Sequence, residues 1–217
     1  MCFLWCLTLL LRLGAAAPTV TPELLIDNFD NVVSSLLPTL SKPIGKQNGL
    51  LYDSKFGYSD RSFFLPGVQA HSPSNAAGVG LTRGLTEGIL SGSPISVYPN
   101  GVISITGDTK SFDLVGFWYG CRVNTATAIL GTAVRCDFSA TGVNVEGKTV
   151  SEKSFSYVPV AGEGSLGLGP IFNASMDYKQ FSGFKKMVNV TVRMASSSTL
   201  VATSVLLLDD VAHYNYY

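Results

Sequence analysis

The sequence predicts an all-β fold, a sandwich or barrel of short antiparallel strands. Apolar residues alternate with polar ones in short runs, broken by Gly, Pro, Asn and Asp at spacings of about ten residues. The chain is 46% hydrophobic and only 14% charged, against ~25% charged in an average domain. Its 22 Gly suit many tight turns, and its 217 residues suit one domain of this kind. No amphipathic helix of useful length is visible. Formal net charge is zero with no block of one sign, so a basic nucleic-acid footprint is absent.

Residues 1–17 read as a secretory signal peptide. Cys2 to Leu11 form an apolar run interrupted by Thr8, and Ala15, Ala16 and Ala17 supply small residues for cleavage. Arg12 follows the apolar run instead of preceding it, and Pro18 disfavours a cut directly before it. The run is about half of the ~20 residues that a membrane span needs. The expected product is therefore extracellular, with residues 18–217 as one domain. Loss of Arg12 lowers Lys+Arg from 15 to 14 against 15 acids, a net charge of −1. It also removes Cys2 and Cys6, and the remaining Cys121 and Cys136 read as one disulfide. Asn173-Ala174-Ser175 and Asn189-Val190-Thr191 are glycosylation acceptors.

The strands follow in order. Ile26 and Asn28 to Val32 form an expected first strand closed by Leu36, Leu37 and Pro38, with a short helix from Pro22 as the competing reading. Leu50, Tyr52 and Phe56 form the next. Residues 57–91 are rich in Gly and Pro and read as a long loop with short strands at Phe63–Leu65 and Val79–Leu81. Long loops gather at the ends of sandwiches and often carry binding. Val97, Val102, Ile103 and Ile105 lie around the Pro99-Asn100-Gly101 turn. Phe112, Leu114 and Phe117 to Cys121 form a strand whose parity shifts at Val115-Gly116, predicting a bulge. Ala128 to Gly131, with Val134, Cys136 and Phe138, form the next strand. Val143, Val145, Phe155 and Tyr157 flank a turn at Glu146-Gly147-Lys148. Residues 181–194 give the clearest alternation, with Val188, Val190, Val192 and Met194 on one face and Asn189, Thr191 and Arg193 on the other.

The last stretch, Leu200 to Tyr217, runs Val205-Leu206-Leu207-Leu208 straight into Asp209-Asp210. Its β-branched and aliphatic residues suit a buried strand. Carboxylates cannot enter a dry core unpaired. At least one must point outward or find a cation, a basic side chain or backbone N–H groups.

The sequence resembles small secreted fungal proteins with a galactose-binding-like, jelly-roll domain and, more distantly, jelly-roll carbohydrate-binding modules. The residues that carry the resemblance are Asn28-Phe29-Asp30-Asn31-Val32, Asn48-Gly49-Leu50-Leu51-Tyr52, Ser111-Phe112-Asp113-Leu114, Phe181-Ser182-Gly183-Phe184 and Leu208-Asp209-Asp210-Val211. It implies a jelly-roll β-sandwich of two antiparallel sheets with the first and last strands side by side. It also implies a structural calcium ion between the chain ends, held by Asp30 with Asp209 or Asp210. Calcium takes six to eight oxygens at ~2.3–2.6 Å; the alternative is that Asp209 and Asp210 cap a strand end or meet a lysine.

Modules of this type bind sugars on exposed aromatic rings. Tyr52, Tyr58, Trp118 and Tyr119 are the expected ligand contacts, with Phe56 and Tyr178 also available, although core packing is the commoner role of sandwich aromatics. Catalysis is not expected. His71 and His213 stand far apart in no metal-ligand motif, and no Gly-x-Ser-x-Gly elbow occurs. The expected function is a non-catalytic, carbohydrate-binding module, with polysaccharide as partner. The alternatives are an effector or surface protein that binds another protein, and a hydrolase whose carboxylates cannot be told from fifteen acids.

Overall fold

The computed structural model describes residues 22–31, 42–60, 67–72, 75–80, 98–123, 132–160, 173–195 and 204–217. Among them every regular element is a strand. They are β1 (Leu24–Asp27), β2 (Pro43–Gln47), β3 (Leu50–Asp60), β4 (Gly67–Val68), β5 (Asn75–Gly80), β6 (Asn100–Ile105) and β7 (Ser111–Val123). After these come β8 (Thr132–Ala133), β9 (Cys136–Asn144), β10 (Thr149–Tyr157), β11 (Asn173–Ala174), β12 (Asp177–Gln180), β13 (Met187–Met194) and β14 (Ser204–Tyr216). The main sheet runs β10-β9-β13-β6-β3-β5-β14-β7-β12, with β1 beside β14, β2 beside β3 and β8 beside β7. Strands β4 and β11 form a separate parallel pair.

The sheet turns back on itself along β3. Leu50 to Tyr52 pair with β6, whereas Gly57 to Asp60 pair with β5. Met187 of β13 opposite Phe112 of β7 closes the return. The β10-β9-β13-β6 half thereby faces the β5-β14-β7-β12 half, a jelly-roll-like sandwich in which long strands switch layers. Aromatic rings fill the space between. Phe117 and Tyr119 on β7 meet Phe138 on β9 and Phe155 on β10 at centroid separations of 4.9–6.5 Å. Such ring pairs add ~0.5–1.5 kcal/mol each beyond their buried area. The disulfide Cys121–Cys136 joins β7 to β9 across the same layers, with Cα atoms 6.1 Å apart.

The alternation placed most strands. The bulge expected at Val115-Gly116 is present: β14 and β7 slip register between Ala212↔Gly116 and His213↔Leu114. The turn around Gly147 is also present, with Gly147 at φ 76° and Asn144 Oδ1 accepting from the Glu146 and Lys148 amides. First and last strands are neighbours, Leu24 opposite Tyr214 and Asp27 opposite Val211.

Other boundaries differ. β1 ends at Asp27 because Phe29 takes a left-handed φ of 60° and Asn28 Oδ1 accepts the Asp30 N–H in a turn. Residues 22–23 are irregular, so the helix alternative is not realised. The strand expected from Phe181 starts only at Met187, since Gly183 and Lys186 both have positive φ. A register shift between Met187 and Asn189 also takes Val188 out of the buried row, leaving Met187, Val190, Val192 and Met194 inside. The features expected at residues 1–17, 32–38, 63–65, 81, 97, 128–131 and 200–203 lie outside the described residues.

Candidate functional site

The site is built on a second bulge, in β14. Asp209 lies opposite Trp118 and Ala212 opposite Gly116, so β14 carries one extra residue there. Asp210 absorbs it with a left-handed φ of 46°. The two carboxylates part as a result: Asp209 is fully buried, and Asp210 is half-buried. The short segment ahead of β5 reaches both. Ser72 donates its N–H to Asp209 Oδ2 at 2.9 Å and places its hydroxyl 3.2–3.3 Å from both oxygens. The Asp210 N–H donates to Asp209 Oδ1 at 2.8 Å. These bonds favour the ionised form, but burial outweighs them and pushes the Asp209 carboxyl up to about 7.

His71 Nδ1 stands 2.6 Å from Asp210 Oδ2, and its ring lies on Trp118 at 3.7 Å between centroids, 7° from parallel. Across β12, Tyr178 pairs with Trp118, its ring 5.3 Å away and tilted by 51°. Gly116 makes this possible, since a Cβ there would run into the Tyr178 hydroxyl and the Lys179 carbonyl. The product is an open aromatic step of His71, Trp118 and Tyr178 edged by Asp210. Tyr178 is 45% exposed.

Two of the expected ligand aromatics are corrected by burial. Tyr52 is a core residue, T-shaped against Phe29 and Phe56, with its hydroxyl donating to Asp27 at 2.7 Å. Tyr119 points into the aromatic core and reaches the Ser156 carbonyl at 3.3 Å. Neither offers a ring face to solvent. Phe56 is likewise buried. Tyr58 is half-buried, accepts from Gln47 Nε2 at 3.0 Å and takes no part in the step. Of the four, Trp118 alone belongs to it, joined by Tyr178 and by His71. His71 and Asp210 meet across 139 positions, and no local signal in the sequence links them.

The carboxylates expected to hold calcium each meet protein donors. Asp30 Oδ1 accepts the Asn75 N–H at 3.2 Å, Asp209 is taken by Ser72 and Asp210, and Asp210 by His71. Among the described residues no three His, Cys, Asp or Glu side chains are placed to hold a metal. Asn189 is half-buried on β13 between Ser104 of β6 and Val143 of β9. Asn173 opens β11, its side chain outside the described residues.

No protein-family model and no curated protein matches the chain. In fold it is similar to a DUF4465 family protein from Bacteroides caccae, with a TM-score of 0.50 at 12% identity over 89% of this chain and 100% of that one. It is also similar to the K1 cleaved adhesin domain of Lys-gingipain from Porphyromonas gingivalis, with a TM-score of 0.46 at 12% identity over 88% and 97% of the two chains. The first likeness establishes the all-β fold over most of the chain, and at this identity the fold alone. The narrower fungal galactose-binding-like family receives no support from a family model or a curated protein.

Proposed function

We propose that this chain is a secreted, non-catalytic jelly-roll module that binds carbohydrate on the step formed by Trp118, Tyr178 and His71. The observation that carries the reading is the open ring of Tyr178 set at an angle beside Trp118, with the Asp210 carboxylate and the His71 imidazole at the rim. Pyranose rings present apolar C–H faces that pack on such rings, and their hydroxyls donate hydrogen bonds to carboxylates and exchange them with imidazole groups. His71 covers one face of Trp118, so Tyr178 is the first platform a sugar meets. The signal-like leader and the disulfide suit an extracellular setting.

The test is retention of the secreted protein on a panel of soluble and insoluble polysaccharides, beside Tyr178→Ala and His71→Ala. Tyr178→Ala should abolish retention on the preferred polymer with an unchanged melt, since that ring is exposed. Retention that survives both substitutions would move the site elsewhere. No retention on any polymer would reject the carbohydrate reading and turn the search to a protein partner.

A further inference from the structure

Away from the aromatic step, the first and last strands enclose a second polar cluster. The one buried side chain of β1 is a carboxylate: Leu24 and Ile26 are exposed, Leu25 is half-buried, and only Asp27 points inward. Apolar burial therefore contributes little to holding β1, and beyond the backbone ladder to β14 its attachment rests on what Asp27 meets. Asp27, Tyr52, His213 and Asn215 are each at most 2% exposed.

Hydrogen-bond directions fix most of the protons. Asn215 Nδ2 donates to the Asn48 carbonyl at 2.6 Å, so the Asn215 oxygen is the group facing His213 Nδ1 at 2.9 Å. An amide oxygen only accepts, so Nδ1 carries a hydrogen. Asp27 accepts from Asn48 Nδ2 at Oδ1 and from the Tyr52 hydroxyl at Oδ2, both at 2.7 Å. Burial and the neighbouring carboxylate push Tyr52 well above its ordinary value, which keeps it a donor. Tyr58 also feels the Asp27 charge, and among the described residues no basic side chain other than His213 pairs with Asp27. His213 Nε2 is left 3.5 Å from Asp27 Oδ2 with no hydrogen-bond partner.

A bare Nε2 would oppose its lone pair to those of a carboxylate and leave a buried charge without a cation. A proton on Nε2 removes both penalties. We infer that His213 carries a proton on Nε2 as well as on Nδ1, and that its ion pair with Asp27 locks β1 onto β14.

The test is nitrogen NMR of the imidazoles in the purified chain at neutral pH. The chain has two histidines, so His71→Gln assigns the signals. Protonation of His213 at Nδ1 and a bonded proton at Nε2 are expected. Asp27→Asn should strip the Nε2 proton, keep the Nδ1 proton and speed hydrogen exchange of the β1 amides roughly tenfold or more, the loss of one buried ion pair. The β13 amides should not change. An unprotonated Nε2 in the wild-type protein would overturn the inference whether or not the variant folds. Unchanged β1 exchange in a folded Asp27→Asn protein would overturn the lock.

Discussion

Asp209 holds three protein donors, the Ser72 N–H and hydroxyl and the Asp210 N–H, yet its carboxyl is pushed up to about 7 because burial outweighs them. The unfolded chain would titrate near ~3.9. The folded value is raised, so the stability that the neutral acid contributes is fully present below about pH 4 and is lost as pH rises through about 7. Asp209→Asn keeps the shape and stays neutral. The wild-type protein should lose roughly 2–4 kcal/mol more than the variant between acidic and mildly alkaline buffer, measured by urea unfolding at both. Parallel pH profiles would mean that Asp209 ionises in the fold as it does in water. At this scale the sequence was half legible. It showed that one of two adjacent carboxylates needed a partner; it could not show that Ser72 and His71 supply the partners, because both contacts form through tertiary structure.

Two bulges, one in each of the paired strands β7 and β14, set the site. The one at Val115 was legible because apolar parity visibly slips from Leu114 to Phe117. The one at Asp210 was hidden, since Val205 to Leu208 are buried on both faces and no alternation exists to break. Glycines make a sharper test of the elements. Gly147 has φ 76°, and a Cβ added there would meet nothing within 4 Å, so Gly147→Ala faces backbone strain alone, ~1 kcal/mol. Gly101 in β6 lies directly against the Phe56 ring, and Gly101→Ala must displace that buried ring, for ~1–3 kcal/mol. Chemical unfolding of both variants should rank Gly101→Ala as the more damaging; the reverse order would place the strain in the turn.

At the scale of the whole molecule, alternation revealed the strands but not their order. The ladder between residues 24–27 and 211–214 and the passage of β3 between layers depend on contacts that no local window contains. The side-by-side first and last strands came from the family resemblance. The disulfide was legible by subtraction, and its place explains its consequence. Cys121 and Cys136 are 15 residues apart in sequence and sit on facing layers. Closing a loop of that length restricts the unfolded chain by ~3 kcal/mol in the chain-entropy model. The layers are also joined by the Phe117, Tyr119, Phe138 and Phe155 rings and by the ladders through β3. Cys121→Ala/Cys136→Ala should therefore still fold, with a denaturant midpoint lowered by about that free energy. Thiol reduction of the wild-type protein should lower it by a similar amount, which separates loss of the cross-link from loss of two buried side chains. A double variant that fails to fold while the reduced wild type stays native would assign the effect to packing of the sulfur atoms.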